Sequence, residues 1–348
     1  MPIATRYPGV YIDEDASPAI SVNALPTAVP LFAMSYTNTS TTPVKFNSYL
    51  DVLQYYKASD LDTIAVRGLR AYFECGGGPC WAVDWDVLAK AADELGDAIT
   101  LIVQNTFDDV APNPSDTRHF FLLDGPTTEI TDGTANSAYT ANPYAAVYYP
   151  TIVVPWSQGY VPASAIMAGL YCKNDSTRGV WNAPANMLLP TGYQPSYPMT
   201  DSLQAQYNSR KAINMIRSFP NRGTVVWGAR TLDNSDNWRY INVRRLFNST
   251  ERDISSAMRK MVFEPNNQPT WRKIYTAIDS YLYSLWQQGA LVGVKPEDAY
   301  FVQIGEGVTM TADDIAQGKM IAKVGMAAVR PAEFIIIEFT QDMQSVTA

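Results

Sequence analysis

The sequence contains one histidine, three cysteines and no long apolar run, and each scarcity removes a class of function. Crossing a bilayer as a helix takes about 18 or more consecutive apolar residues, and no stretch of the chain approaches that length. The opening residues, MPIATRYPGVYIDED, lack the charged-then-apolar order of a secretory leader. A product made in the cytoplasm, with no direct membrane insertion, is therefore expected. Cys75, Cys80 and Cys172 form an odd, sparse set unlike the disulfide framework of a small secreted domain, and they are expected to stay reduced.

Enzyme chemistry is equally short of material. His119, in RHFFLLD, adjoins an apolar strand, where a structural role outweighs a catalytic one. No GxSxG nucleophile elbow accompanies it. Cys75 and Cys80 in CGGGPC resemble half of a zinc site, but the remaining ligands would have to be Cys172 or His119 from far away. Three glycines and a proline account for the segment as a tight turn. The same glycines are followed by Pro79-Cys80-Trp81 and not by Lys-Ser/Thr, so they do not form a phosphate loop. Gly305 and Gly307 make only a lone GxG. The pairs Asp84/Asp86 and Asp313/Asp314 read as solvated surface and a helix N-terminus. No catalytic residue, metal ligand or cofactor site is assigned.

What the chain does have is apolar mass and an uneven charge. With 348 residues, 47% of them hydrophobic, it can bury a large core and is expected to form two domains. Its net charge of −8 divides sharply: residues 201–330 hold 17 Lys and Arg against 12 Asp and Glu, the remainder 9 against 22. Two electrostatically different sides follow. A pI near 4.8 argues against nucleic acid, and an acidic protein partner fits the basic side better.

Periodicity gives the elements. Tyr7 to Asp15 reads as a terminal extended segment in need of a partner, followed by a linker to about Pro26. From Ala28 to Tyr149, TAVPLFAM, CWAVDW, DAITLIVQ and HFFLLD read as strands alternating with the helical SYLDVLQYY and TIAVRGLRAYFE, the pattern of an α/β domain. YNSRKAINMIRSF then reads as helix-like and GTVVWGAR as a strand. In RRLFNSTERDISSAMRKMVF, Phe247, Ile254, Met258 and Met261 share one helical face. Arg245, Arg252 and Arg259 recur every seven residues on the opposite line, with Lys260 beside the last. That basic face is expected to dock an acidic partner, although a plain solvated face explains the spacing too. A second amphipathic helix runs from Thr270 to a stop at Gly289, TADDIAQG is capped by Thr311 and closed by Gly318, and two strands end the chain. In PAEFIIIEF both alternating faces are apolar, Phe334 and Ile336 on one and Ile335, Ile337 and Phe339 on the other, so this strand needs neighbours on both sides. Strand exchange between subunits would supply them.

Seven segments, spread in order over most of the chain, resemble contractile tail sheath proteins. They are YPGVYIDE (7–14), RGVWNAPAN (178–186), INMIRSFPNRGTVVWGARTL (213–232), NWRYINVRRLFN (237–248), FEPNNQPTW (263–271), LWQQGALVG (285–293) and VRPAEFIIIEF (329–339). They are most similar to sheaths of phage-tail-like extracellular contractile injection systems, with R-type bacteriocin and contractile phage sheaths as more distant relatives. The resemblance implies a mixed α+β and α/β subunit with two domains. Residues 1–25 would be an N-terminal arm joining an inner, tube-facing domain of 200–330; residues 26–199 an inserted outer α/β domain; residues 331–348 a C-terminal arm. It also implies that Tyr7, Val10, Tyr11 and Ile12, and Glu333, Phe334, Ile335, Ile336, Ile337 and Phe339, lie in arm strands donated to neighbouring subunits. The implied partners are further copies in stacked hexameric rings, an inner tube that the basic helix (Arg245, Arg252, Arg259, Lys260) would face, and baseplate and tail-terminator proteins. Sister sheath proteins and a disassembly ATPase are further candidates. The particle would assemble in a bacterial cytoplasm and be released. Rival readings are a hydrolase-like enzyme and an adhesin-type module that uses the 21 tyrosines and 8 tryptophans as a recognition surface.

Overall fold

The computed structural model of the protein describes residues 21–34, 41–105, 117–208 and 211–334. In chain order the strands are β1 (Pro30–Met34), β2 (Val44–Phe46), β3 (Cys80–Asp84), β4 (Leu101–Val103), β5 (Phe120–Asp124), β6 (Ala145–Tyr149), β7 (Ile152–Val153), β8 (Gln194–Pro195), β9 (Ile213–Phe219), β10 (Gly223–Val226), β11 (Tyr300–Ile304) and β12 (Ala322–Met326). The helices are α1 (Tyr49–Tyr55), α2 (Ile64–Glu74), α3 (Leu88–Leu95), α4 (Ala163–Arg178), α5 (Asp201–Gln206), α6 (Ile241–Met258), α7 (Gln268–Gln287), α8 (Pro296–Ala299) and α9 (Ala312–Ala316).

Eight strands form one sheet in the order β10-β9-β6-β5-β4-β1-β3-β2. The inner pairings are parallel, and antiparallel strands close both edges. Both faces of such a sheet must be covered, which the apolar central strands β1, β4 and β6 anticipate. Along β1 the side chains alternate accordingly. Phe32 and Met34 join a core with α2 and α4, while Leu31 and Ala33 join a second core with α3. Helix α4 is buried along most of its length, having the sheet on one side and α2 on another. That close crossing needs glycine: a Cβ on Gly169 would strike the Tyr72 carbonyl oxygen and the Cys75 side chain.

One expectation fails here. INMIRSF is strand β9 and not part of a helix, because Ile213 to Met215 pair in parallel with Val147 to Tyr149 and bury both faces. Strand β10 returns beside it, so residues 213–226 complete the large sheet. The division placed at residue 200 therefore moves: the α/β unit extends to about residue 232, where Leu232 still packs in its core.

The remaining unit is built on helices α6 and α7, which follow one another in the chain. Ile274, Ile278, Leu282 and Leu285 of α7 pack with Leu246 of α6, Val180, Leu291 and the inner face of β11. Asn267 caps α7 by accepting from Thr270 N at 3.2 Å, and Gly289, at φ 79°, follows its end. The expected Thr311 cap on α9 is present as a reciprocal pair with Asp314. Residues 21–27 lie against this second unit although they begin the described chain, with Val22 partly buried against its core.

The α2–α4 crossing yields a prediction. Gly169→Ala should lower stability by about 1–3 kcal/mol through overpacking, whereas Gly78→Ala, whose Cβ would meet open space, should change it little. Urea denaturation midpoints of the two variants check this.

Candidate subunit interface

The two units meet along the arginine line of α6. Arg245 donates to both carboxylate oxygens of Asp175 on α4, at 3.1 and 2.6 Å, and to the Thr27 carbonyl at 3.0 Å. Thr27 Oγ1 donates to Asp175 Oδ2 at 2.6 Å, and the Arg245 guanidinium lies 4.5 Å from the Tyr171 ring centroid. Both charged side chains are almost fully excluded from solvent, 3% and 5% exposed. One heptad on, Arg252 donates to the carbonyls of Pro26 and Leu25 at 2.8 and 3.2 Å. Its neighbour Asp253 accepts from Leu25 N and from Tyr281 Oη, so this strap and α7 share one carboxylate. Arg259 pairs with Asp97, beyond α3. Arg244 adds a fourth tie, stacked 4.0 Å from the Trp238 ring and 4.8 Å from Tyr144 of the α/β unit.

The seven-residue spacing thus marks a real line, but its first two members face inward. Arg245 and Arg252 are not a solvent-facing surface for a tube, because the chain's own Asp175 and the backbone carbonyls at 25–27 already hold them. The acidic partner inferred from the charge split lies, at Arg245 and Arg259, in the acidic half of the same molecule. Arg259 and Lys260 remain exposed at the end of the helix. Asp175, Thr27 and Arg244 were not singled out from sequence.

A second junction gathers segments far apart in sequence. Asn242 Nδ2 donates to the carbonyls of Trp181 and Val329, at 2.8 and 2.9 Å. Arg230 then clasps Glu333 through Nε at 3.0 Å and Nη2 at 2.5 Å, and Tyr240 Oη donates to the same carboxylate at 3.3 Å. The chain beyond this clasp starts with Phe334, 71% exposed. Residues 331–334 form no strand. Tyr7, Val10, Tyr11 and Ile12, and Ile335, Ile336, Ile337 and Phe339, lie outside the described residues.

The second unit also carries a two-stranded antiparallel ribbon, β11–β12. Ribbons of two strands are marginal alone, and the far edge of β12 has no strand beside it among the described residues. Phe301 is half exposed on its face. Open edges of this kind accept strands from other chains.

The candidate chemical groups His119, Cys75 and Cys80 are buried. His119 is buried, with Nε2 3.2 Å from the Gly96 carbonyl. Cys75 and Cys80 are buried thiols, Cys75 pushed up to about 12 by desolvation. No grouping of three or more potential metal ligands occurs among the described residues. Asp124, also buried, accepts from Ser164 N at 2.8 Å and Ser164 Oγ at 2.7 Å at the start of α4. Desolvation pushes its carboxyl up to about 7 despite these bonds. Among the described residues, no helix is long and apolar enough to cross a membrane.

Comparison with known proteins follows the same geography. Residues 233–342 match the phage tail sheath C-terminal domain family, beginning just past the large sheet. The sheath of PVC, an extracellular contractile injection system, in its contracted state superposes with a TM-score of 0.90 and 50% identity, covering 98% of this chain and 99% of that one. A chain of the six-fold symmetrised anti-feeding prophage baseplate gives a TM-score of 0.80 at 46% identity, over 98% of this chain and 100% of that one. The tail sheath protein of Salmonella phage ViI is 27% identical over 184 residues, 52% of this chain. The match spans about a quarter of that longer relative, 28% of its length.

The buried pair and the buried carboxyl each give an expected outcome. Arg245→Met leaves Asp175 buried without its cation and should cost about 3–5 kcal/mol, while Arg259→Ala, at an exposed pair, should cost under about 1 kcal/mol; guanidinium unfolding distinguishes them. For Asp124, the folded state holds the proton more tightly than the unfolded chain, so this group favours folding below its ordinary value of 3.8 and loses that contribution as pH rises toward 7. The melting temperature of Asp124→Asn relative to the parent should therefore rise between pH 5 and pH 8.

Proposed function

The chain belongs to the contractile tail sheath family, and from that membership we propose that it is a structural subunit, not an enzyme, that polymerises around an inner tube and contracts to drive it through a target membrane. Stacked hexameric rings are the proposed arrangement, with baseplate and tail-terminator proteins at the ends. The particle is proposed to assemble in a bacterial cytoplasm and act after release. Sister sheath proteins and a disassembly ATPase complete the proposed partners.

The observation that carries this reading is the β11–β12 ribbon, whose far edge has no strand beside it among the described residues. Arm strands including Tyr7 to Glu14 and Glu333 to Phe339 would pair with such ribbons on neighbours and keep the lattice connected while subunits move. Glu333, held by Arg230, is then the fixed root of the C-terminal arm. Because a rearrangement proceeds only down a free-energy difference, the contracted contacts must be more favourable than the extended ones. The buried Arg245–Asp175 seam supports motion of the subunit as one body, with change concentrated in the arms. Arg259 and Lys260 are the members of the basic helix retained as candidates for tube contact, through ionic contacts that salt weakens.

Removing residues 335–348 leaves the Glu333 clasp in place, so the truncated chain should melt within a few degrees of the parent yet fail to polymerise. Differential scanning calorimetry and negative-stain electron microscopy test the two halves; polymers of normal length from the truncated chain would contradict the arm assignment.

A further inference from the structure

The turn between α6 and α7 holds an aromatic side chain fully in water. Phe263 has a relative exposure of 102%, and Val262 before it 60%. Phe263 also occupies φ 74°, a left-handed conformation that bulky residues seldom adopt. The turn is fixed from both sides: Glu264 N donates to the Met261 carbonyl at 3.1 Å, Asn266 Nδ2 donates to the Lys319 carbonyl at 2.8 Å, and Trp271 Nε1 donates to Asn266 Oδ1 at 2.7 Å. A ring presented in this way is a rigid knob, with the exposed acid Glu264 beside it.

The same chain carries a cleft of matching character. A space of about 780 Å³ opens between α6, α7 and the strap at 21–27, lined mainly by apolar atoms from residues including Val22, Val180, Ala277 and Leu285. The exposed Arg272 lies among its lining residues, and Ser280 opens onto it. Knob and cleft therefore complement each other twice, apolar ring to apolar wall and Glu264 to Arg272. They are different surfaces of one molecule, so their union is heterologous and can propagate from subunit to subunit without closing on itself after two.

We propose that the Val262-Phe263-Glu264 knob of one subunit seats in this cleft of the next, with Phe263 against the apolar wall and Glu264 facing Arg272. The contact rests on the polymerising reading above and is additional to the arms.

The test uses the full chain. Phe263→Asp should leave the melting temperature unchanged and raise the protein concentration needed for polymer about tenfold or more, as read by sedimentation. Glu264→Arg should weaken assembly, and adding Arg272→Glu should restore it. Phe263→Cys and Ser280→Cys subunits, mixed before assembly and oxidised, should give a disulfide-linked dimer that neither variant gives alone. Normal assembly by Phe263→Asp without the mixed cross-link would overturn this contact and leave the sheath reading standing, as would occupation of the cleft by residues 1–20 of the same chain. A parent chain that forms no polymer would overturn the underlying reading, and this contact with it.

Discussion

The buried ion pair between Arg245 and Asp175 is the constraint on which the rest of the molecule depends. Neither charge would be tolerated alone at that depth, so α4 of the sheet unit and α6 of the second unit must lie where the pair can form. Thr27 supplies two of the remaining hydrogen bonds, tying the entry of the chain into the same point. One pair thus joins a residue near the start, one near the middle and one in the last third of the sequence. Arg252, which holds the Pro26 and Leu25 carbonyls, and Arg259, which pairs with Asp97, continue the same seam along α6.

From that seam the path to function is mechanical. The large sheet is enclosed by helices, and its outermost strands are antiparallel additions to a parallel centre. The second unit is the opposite case: a small ribbon with no strand beside β12 among the described residues, and a protruding aromatic turn. The enclosed sheet lies in one unit and the open edge and exposed ring in the other, a distribution that suits a polymer subunit whose contacts have to be remade without unfolding it.

Much of this was legible in the sequence, and the failures have physical causes. Strands β1, β3, β4, β5 and β10 were found because Val, Ile, Leu and Phe crowd short runs bounded by turns, and the cap at Thr311 sits where Thr chemistry puts it; β2 and β6 and the Asn267 cap were not picked out. INMIRSF misled because Ile213 and Ile216 are three apart, a spacing that suits a helix as well as a doubly buried strand; only the parallel partner β6 decides. The heptad of arginines was read correctly as a line and wrongly as a free one. Periodicity reports which residues share a face, but what covers that face depends on contacts between residues 70 or more apart, as Arg245 and Asp175 are. Resemblance to known sheaths supplied the family, which no composition or spacing could have supplied.

Cryo-electron microscopy of the chain expressed alone tests the central claim most directly. Hollow, helically striated cylinders in which neighbouring subunits share strands at the β11–β12 ribbon are the predicted result. A uniform monomer that stays monomeric when a tube protein is added would contradict the account.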